Sequence, residues 1–264
     1  MILNERIKRS YDRHAISYDA GTELQRSLAD KLIKVALDDN VKFSKVLDVG
    51  CGTGYLLEKM GTVPKRWDSP HFLTTHFVGC DISMGMLKCA KNKLGGLYVQ
   101  SDASILPFSD FAFDLVVSNA AYQWVFGLKA AFREVKRVLK PCGKFYFVVF
   151  NNNTLRELQD VCRTINIASS NFPDKNKLSA SLREAGFKIY SIEIYTCKKY
   201  YKDLQALLVA LKNIGSTSVE NKNIKGLAWR KILNEANKLY VKKFGDKNGI
   251  PATYEAFIVK AENA

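Results

Sequence analysis

The residues best placed to do chemistry begin where an apolar strand runs into a bare turn, Val46-Leu47-Asp48-Val49-Gly50-Cys51-Gly52-Thr53-Gly54. Gly50 and Gly52 tolerate positive φ and carry no side chain, so the backbone there can touch a ligand. Polar groups follow at the ends of later strand-like segments. Asp81 closes residues 76–81, where a carboxylate can accept from two neighbouring ribose hydroxyls. Asp102-Ala103 follows 97–100, where an acid can accept from an adenine amino group, and Ser118-Asn119 ends 113–118. Alone, each acid also fits a helix N-cap, and the glycine turn alone also fits a helix-packing turn. Their order on successive strand ends is what carries weight.

The same residues discriminate between ligands. Gly54-Tyr55 lacks the Lys-Ser/Thr of a phosphate loop. Asp48, just before the glycines, would repel a pyrophosphate and suits an ammonium group. The set therefore favours S-adenosylmethionine over a dinucleotide.

Several elements must position these groups. Residues 5–20 and 22–37 have helical periodicity, the second more clearly amphipathic. Strands are expected at 45–49, 76–81, 97–100, 113–118, 144–150, 187–196 and 253–260. Helices are expected after Tyr55, through Met86 and Ala90, at 128–139, 154–164 and 175–185, and around 201–213 and 227–243, with an irregular insertion at 61–75. Strand and helix alternating at this spacing predict an α/β fold: a doubly wound, mostly parallel, seven-stranded Rossmann-like sheet. In such sheets ligands bind beyond the carboxyl ends of the strands, near the point where strand order reverses. The expected organisation is an N-terminal helical segment over 1–40, a cofactor-binding core over 41–197, a helical cap over 198–249 and a last core strand within 250–264.

Bulk properties narrow the class. No apolar run is long enough to span a membrane, and the charged N-terminal stretch does not read as a secretory signal. Six scattered cysteines without a CxxC pair fit reduced thiols, and three histidines, His14, His71 and His76, do not suggest a metal site. The expectation is a cytoplasmic protein without metal. A net charge of +14, densest from Lys198 to Lys247, attracts acidic partners or simply solvates the surface. No interleaved aromatic-basic motif or appended RNA module is present, which argues against nucleic acid.

The succession LDVGCGTG, GCDIS, SDASILPF, FDLVVSN and REVKRVLKPCGKF over about residues 40–150 resembles the class I methyltransferase domain. The resemblance implies Gly50 and Gly52 against a methionine moiety, Asp81 and Ile82 at the ribose, and Asp102 and Ala103 at the adenine. Met86, Asp48 and Asn119 belong to the same expected cofactor set. Cys142 stands where the family usually has glycine. Outside that core, Tyr11-Asp12-Arg13-His14-Ala15-Ile16-Ser17-Tyr18-Asp19, Ser118 to Trp124, Leu211 to Thr217 and Ile250 to Glu255 resemble the malonyl-acyl carrier protein O-methyltransferases of biotin synthesis. Ser216 and Ala252 depart from that family's usual alanine and leucine.

That family's reaction is methyl transfer to the free carboxylate of malonyl-acyl carrier protein. A carboxylate is already ionised near neutrality, with a pKa near ~4, so alignment and desolvation are required rather than a base. Arg13 and Arg156 are the candidates for gripping the carboxylate, and either is equally a surface ion pair. Tyr18 is expected to close the cofactor site, its ring suiting a cation, though it is also a plausible packing residue. Gln123 and Trp124 are the candidate substrate contacts, although a tryptophan in such a place is more often a core or lid aromatic. An acidic carrier would dock on the basic 198–247 segment. The competing readings are transfer to a small molecule such as a quinone precursor, or to RNA.

Overall fold

Leu115 and Val117 face one side of a sheet and Val116 faces the other, and all of them are buried. A strand covered on both faces reads as a continuous apolar run, as Phe113-Asp114-Leu115-Val116-Val117 does. The computed structural model describes residues 2–39, 43–62, 75–165, 167, 172–214 and 227–264. Within them the chain forms α1 (Ile2–His14), a 3₁₀ turn (Tyr18–Gly21), α2 (Glu23–Asp38), β1 (Lys45–Val49), α3 (Tyr55–Thr62), β2 (His76–Asp81), α4 (Met84–Leu94) and β3 (Leu97–Gln100). Next come β4 (Phe113–Asn119), a 3₁₀ turn (Tyr122–Trp124), α5 (Leu128–Val138), β5 (Leu139–Phe150), α6 (Arg156–Thr164) and α7 (Lys175–Glu184). The chain then forms β6 (Phe187–Tyr201), α8 (Leu204–Asn213), α9 (Leu227–Phe244) and β7 (Ile250–Asn263).

The sheet has seven strands in the order β3-β2-β1-β4-β5-β7-β6, as the doubly wound expectation requires. β1 to β5 are parallel, while β7 runs antiparallel between β5 and β6. From β1 the chain winds outward through β2 to β3, then returns to β4 beside β1. The order therefore reverses between β1 and β4, and a crevice opens beyond their carboxyl ends.

One face is covered by α2 and by apolar residues of α6, α8 and α9, including Leu158, Leu207 and Tyr240. The other carries Phe132, Val135 and Leu182 from α5 and α7 against Phe145, Phe147 and Val259. Rings of Tyr122, Phe132, Phe145 and Phe147 interlock there at centroid distances of 4.4–5.7 Å. Burying each such side chain contributes roughly 1.5–3 kcal/mol.

Several boundaries differ from the sequence reading. The helix expected over 5–20 ends at His14, because Ser17 N–H bonds back to His14 O (3.1 Å) and Ala20 N–H to Ser17 O (3.2 Å), tightening the chain. The strand expected over 187–196 continues to Tyr201, paired with β7 along its length apart from an irregularity between Ile189 and Ser191. The following helix starts at Leu204, capped by Asp203, whose carboxylate accepts from Ala206 N–H. Cys142 adopts φ +59°, a left-handed conformation that glycine would take at less cost. His71, Gly215, Ser216, Thr217, Lys222, Lys225 and most of the insertion expected at 61–75 lie outside the described residues.

Candidate active site

The turn after β1 is held by its neighbour strand: Gly50 and Cys51 N–H both donate to Cys80 O, at 2.8 and 3.0 Å. Gly50 and Gly52 take φ of +73° and +54°. A Cβ on Gly50 would stand 2.3 Å from that of Ala121, so this glycine lets the turn meet the loop after β4. A Cβ on Gly52 would meet nothing within 4 Å; it would project into open space. Gly50 thus serves packing, and Gly52 leaves room for a ligand.

Asp81 accepts from Gly52 N–H (2.9 Å) through one oxygen and from Ser83 N–H (2.8 Å) through the other. Each oxygen keeps a lone pair for a further donor. Burial pushes its pKa up to about 6, against the pull of those N–H groups. Asp48 is 1% exposed, and neither of its oxygens has a partner. Burial, reinforced by Asp81, raises its pKa well above the carboxylate range. A buried carboxylate without a partner is costly unless a cation or donor arrives. Asp102 holds its own turn, accepting from Ser104 N–H and Oγ–H at 2.9 and 2.7 Å. Asn119 donates to Gln25 O (2.9 Å), leaving its Oδ1 buried and unbonded.

The N-terminal elements roof this arrangement. Asp12 Oδ1 accepts from Ser83 Oγ (2.6 Å) and Gly85 N–H (2.8 Å), pinning α1 to the start of α4. Asp19 accepts from Thr53 Oγ (2.6 Å) and from Lys93, with Arg26 3.7 Å away. Burial works upward on Asp19, but these donors outweigh it and hold its pKa below the usual value. Tyr11 lies edge-on to Tyr18 (6.1 Å) and to Trp124 (6.4 Å). Burial, helped by the Asp81 carboxylate, raises both phenol pKa values, so both hydroxyls stay protonated. Burial likewise lifts the Cys80 thiol to about 12, so the cavity wall offers no thiolate.

Two cavities result. The larger, about 760 Å³ with its mouth included, is walled by the glycine turn, the Asp81 and Asp102 strand ends and the roof. The smaller, about 450 Å³, lies among Gln25, Gln123, Phe150, Thr154, Phe172, Leu211 and Tyr254. Tyr11, Tyr18, Ala120 and Trp124 line both and form the partition. Ala120 takes φ +53°, a strained conformation for a residue with a Cβ, at the end of β4.

Of the residues singled out in sequence, Tyr18, Gly50, Gly52, Asp81, Ile82, Met86, Asp102, Ala103 and Asn119 line the larger cavity. Trp124 lines both, and Gln123 only the smaller. Asp48 lies beneath the turn rather than in the wall. The two arginines are not brought in. Arg13 is exposed on α1, and Arg156 is 54% exposed with its Nε 3.7 Å from Glu157. Neither lines either cavity. Sequence reasoning missed Tyr11 and the pin at Asp12, because a tyrosine and an acid on a charged helix look like ordinary surface. Tyr11 falls seven residues before Tyr18, a spacing that could have suggested a shared face.

Chemically, the larger cavity offers carboxylates for hydroxyl and amino donors, and beneath its turn Asp48, held neutral by burial, is a carboxyl that an arriving cation would ionise. Among the described residues no lysine or arginine lines it, so nothing there suits a phosphate. No group of His, Cys, Asp or Glu among the described residues could hold a metal.

A family model described as "Methyltransferase domain" matches residues 47–147. The chain is 30% identical to the malonyl-(acyl-carrier protein) O-methyltransferase of Geobacter sulfurreducens, over 96% of this chain and 97% of that protein. It is 32% identical to the enzyme of the same name from Methylovorus, over 97% of this chain and 87% of the other. A solved Bacillus halodurans protein, provisionally assigned as a methyltransferase, shares the fold with a TM-score of 0.62 at 18% identity. That match covers 90% of this chain and 99% of the other.

Proposed function

Because the chain belongs to the malonyl-(acyl-carrier protein) O-methyltransferase family, we propose that it methylates the free carboxylate of a malonyl thioester on acyl carrier protein. The methyl donor is S-adenosylmethionine, which supplies an electrophilic methyl group on a sulfonium sulfur. The product is the methyl ester that starts the pimeloyl portion of biotin synthesis. A cytoplasmic location is part of the same reading, and no described helix is long and apolar enough to cross a membrane.

The residues present fit that donor. Asp48, buried without a partner, is suited to the ammonium end, and the open space over Gly52 to the adjoining chain. Asp81, with Ile82 beside it, has lone pairs left for ribose hydroxyls, and Asp102-Ala103 is placed for the adenine. Met86 supplies apolar wall, Asn119 an unused acceptor and Tyr18 the closing ring. Tyr18, roofed in place by its neighbours, lies where an aromatic face can meet a cation.

One observation carries the acceptor assignment. Among the described residues, the smaller cavity has no Asp, Glu, His, Lys or Arg in its wall, and its tyrosines are held protonated. A phenol or amine acceptor would need a base there; a carboxylate, ionised at pH 7, does not. Such a wall strips water from the acceptor and fixes its approach, as an in-line displacement needs. Gln123 and Trp124 stand in that wall beside Gln25 and Thr154, and α8 contributes Leu211 to it.

The test is incubation with methyl-labelled S-adenosylmethionine and malonyl-acyl carrier protein, followed by mild alkali. Base-labile label on the carrier is the expected result. Label passing instead to a quinone precursor or to RNA would replace this reading.

A further inference from the structure

The partition between the two cavities carries a buried donor with a single polar neighbour in reach, the Tyr11 hydroxyl. Trp124 Nε1 is buried and closes no hydrogen bond. It faces the Tyr11 hydroxyl closely enough to ease that phenol's pKa downward, though burial dominates. The two rings stand edge-on at 6.4 Å, on the partition where the two cavities meet. A buried N–H whose approach to its one neighbour falls short of full hydrogen-bond geometry keeps capacity for a better-placed acceptor. The alternative gripping groups are elsewhere: Arg13 and Arg156 line neither cavity.

We propose that the acceptor's carboxylate is held by two neutral donors, the Trp124 indole N–H and the Tyr11 hydroxyl, in place of an arginine. This rests on the acceptor class proposed above. Neutral donors suit the reaction in two ways. A guanidinium would stabilise the anion before transfer more strongly than two neutral donors do, and the larger that ground-state stabilisation the slower the chemical step. Once the ester forms, a buried guanidinium would be left without its counter-charge, at a large desolvation cost. An indole N–H and a phenol O–H also bond well to an ester carbonyl, and before transfer the sulfonium of the methyl donor would balance the carboxylate's charge, so neither state would leave a buried charge alone.

The oxygen that is not methylated keeps these bonds while the other oxygen forms its bond to the methyl carbon. The carbon–sulfur bond breaks, and its electron pair stays on sulfur. No proton moves. Hydrogen bonds to a charged acceptor are stronger than neutral ones, and each is worth roughly tenfold or more in affinity.

The clamp can be read without turnover. The full chain, loaded with S-adenosylhomocysteine, is titrated calorimetrically with malonyl-pantetheine and with its methyl ester. Wild type is expected to prefer the carboxylate by roughly tenfold or more. Trp124→Phe and Tyr11→Phe should each erase most of that preference, measured at S-adenosylhomocysteine concentrations that saturate each variant. Should Trp124→Phe fail to load, Tyr11→Phe alone reads the same quantity. A preference kept in the loaded variants, or absent from wild type, overturns the clamp. A preference that behaves as expected in a chain that does not methylate malonyl-acyl carrier protein upholds the clamp and refutes the transfer reading.

Discussion

Asp81 combines two roles that pull on its charge in opposite directions. Burial favours its neutral form and sets its pKa near 6, against an ordinary 3.8. Hydroxyl donors from a ribose require the ionised form. The folded chain thus binds more protons at this site than the unfolded chain does between about pH 4 and 6. Its contribution to stability is complete below the ordinary value and is lost as pH rises through 6. Cofactor affinity should run the other way, weakening by up to about tenfold per pH unit below 6. Titrations of S-adenosylmethionine from pH 5 to 8 test this, and Asp81→Asn should flatten both trends. Asp81, Asp102 and Asn119 were legible in sequence because strand ends leave one place for the next residue to go. The arginines were not: nothing in the types or spacing of Arg13 and Arg156 says which way a helical side chain points. Both point outward.

At the scale of elements, α1 meets α4 where Gly85 has no side chain. A Cβ there would lie 3.0 Å from Asp12 O and 3.2 Å from the Asp12 Oδ1 that accepts from Gly85 N–H. Gly85→Ala should therefore lift α1 from the cavity it roofs and speed cofactor dissociation by about tenfold, the equivalent of ~1.4 kcal/mol. Asp12→Ala, which removes both bonds to Ser83 and Gly85, should act in the same direction. Stopped-flow displacement of S-adenosylhomocysteine measures both, and unchanged rates would show that the roof opens elsewhere. This contact lay beyond sequence reading, since nothing local announces that Asp12 and Gly85 are neighbours. Core strands were easier, because β1 and β4 are short apolar runs bounded by turn residues. The long β6 was shortened in the reading because its alternation gives way to Lys198-Lys199-Tyr200-Tyr201, which looks like loop until β7 is known to pair with it.

Over the whole molecule the net charge is +14, and part of it is committed locally. Lys243 pairs with Asp160 and Lys199 with Glu23. Arg230, Lys231, Lys238 and Lys242 on α9 remain exposed, and an acidic carrier docking on this basic segment would draw on them. Reversing Lys231, Lys238 and Lys242 to glutamate should raise KM for malonyl-acyl carrier protein severalfold and leave affinity for S-adenosylmethionine unchanged. Added salt should mimic the first effect in wild type. Equal KM values for wild type and the reversed chain would remove α9 from the docking face. The order of the strands has a separate consequence, for synthesis. β6 touches one strand only, β7, which follows it in the chain with α8 and α9 in between. On the ribosome the five parallel strands can assemble while β6 waits bare, with Tyr190 and Ile194 among its outward residues. At typical elongation speeds that wait lasts roughly 3–12 s. A nascent chain halted before residue 250 would hold two unsatisfied sheet margins, β5 and β6, and would be a natural client for chaperones.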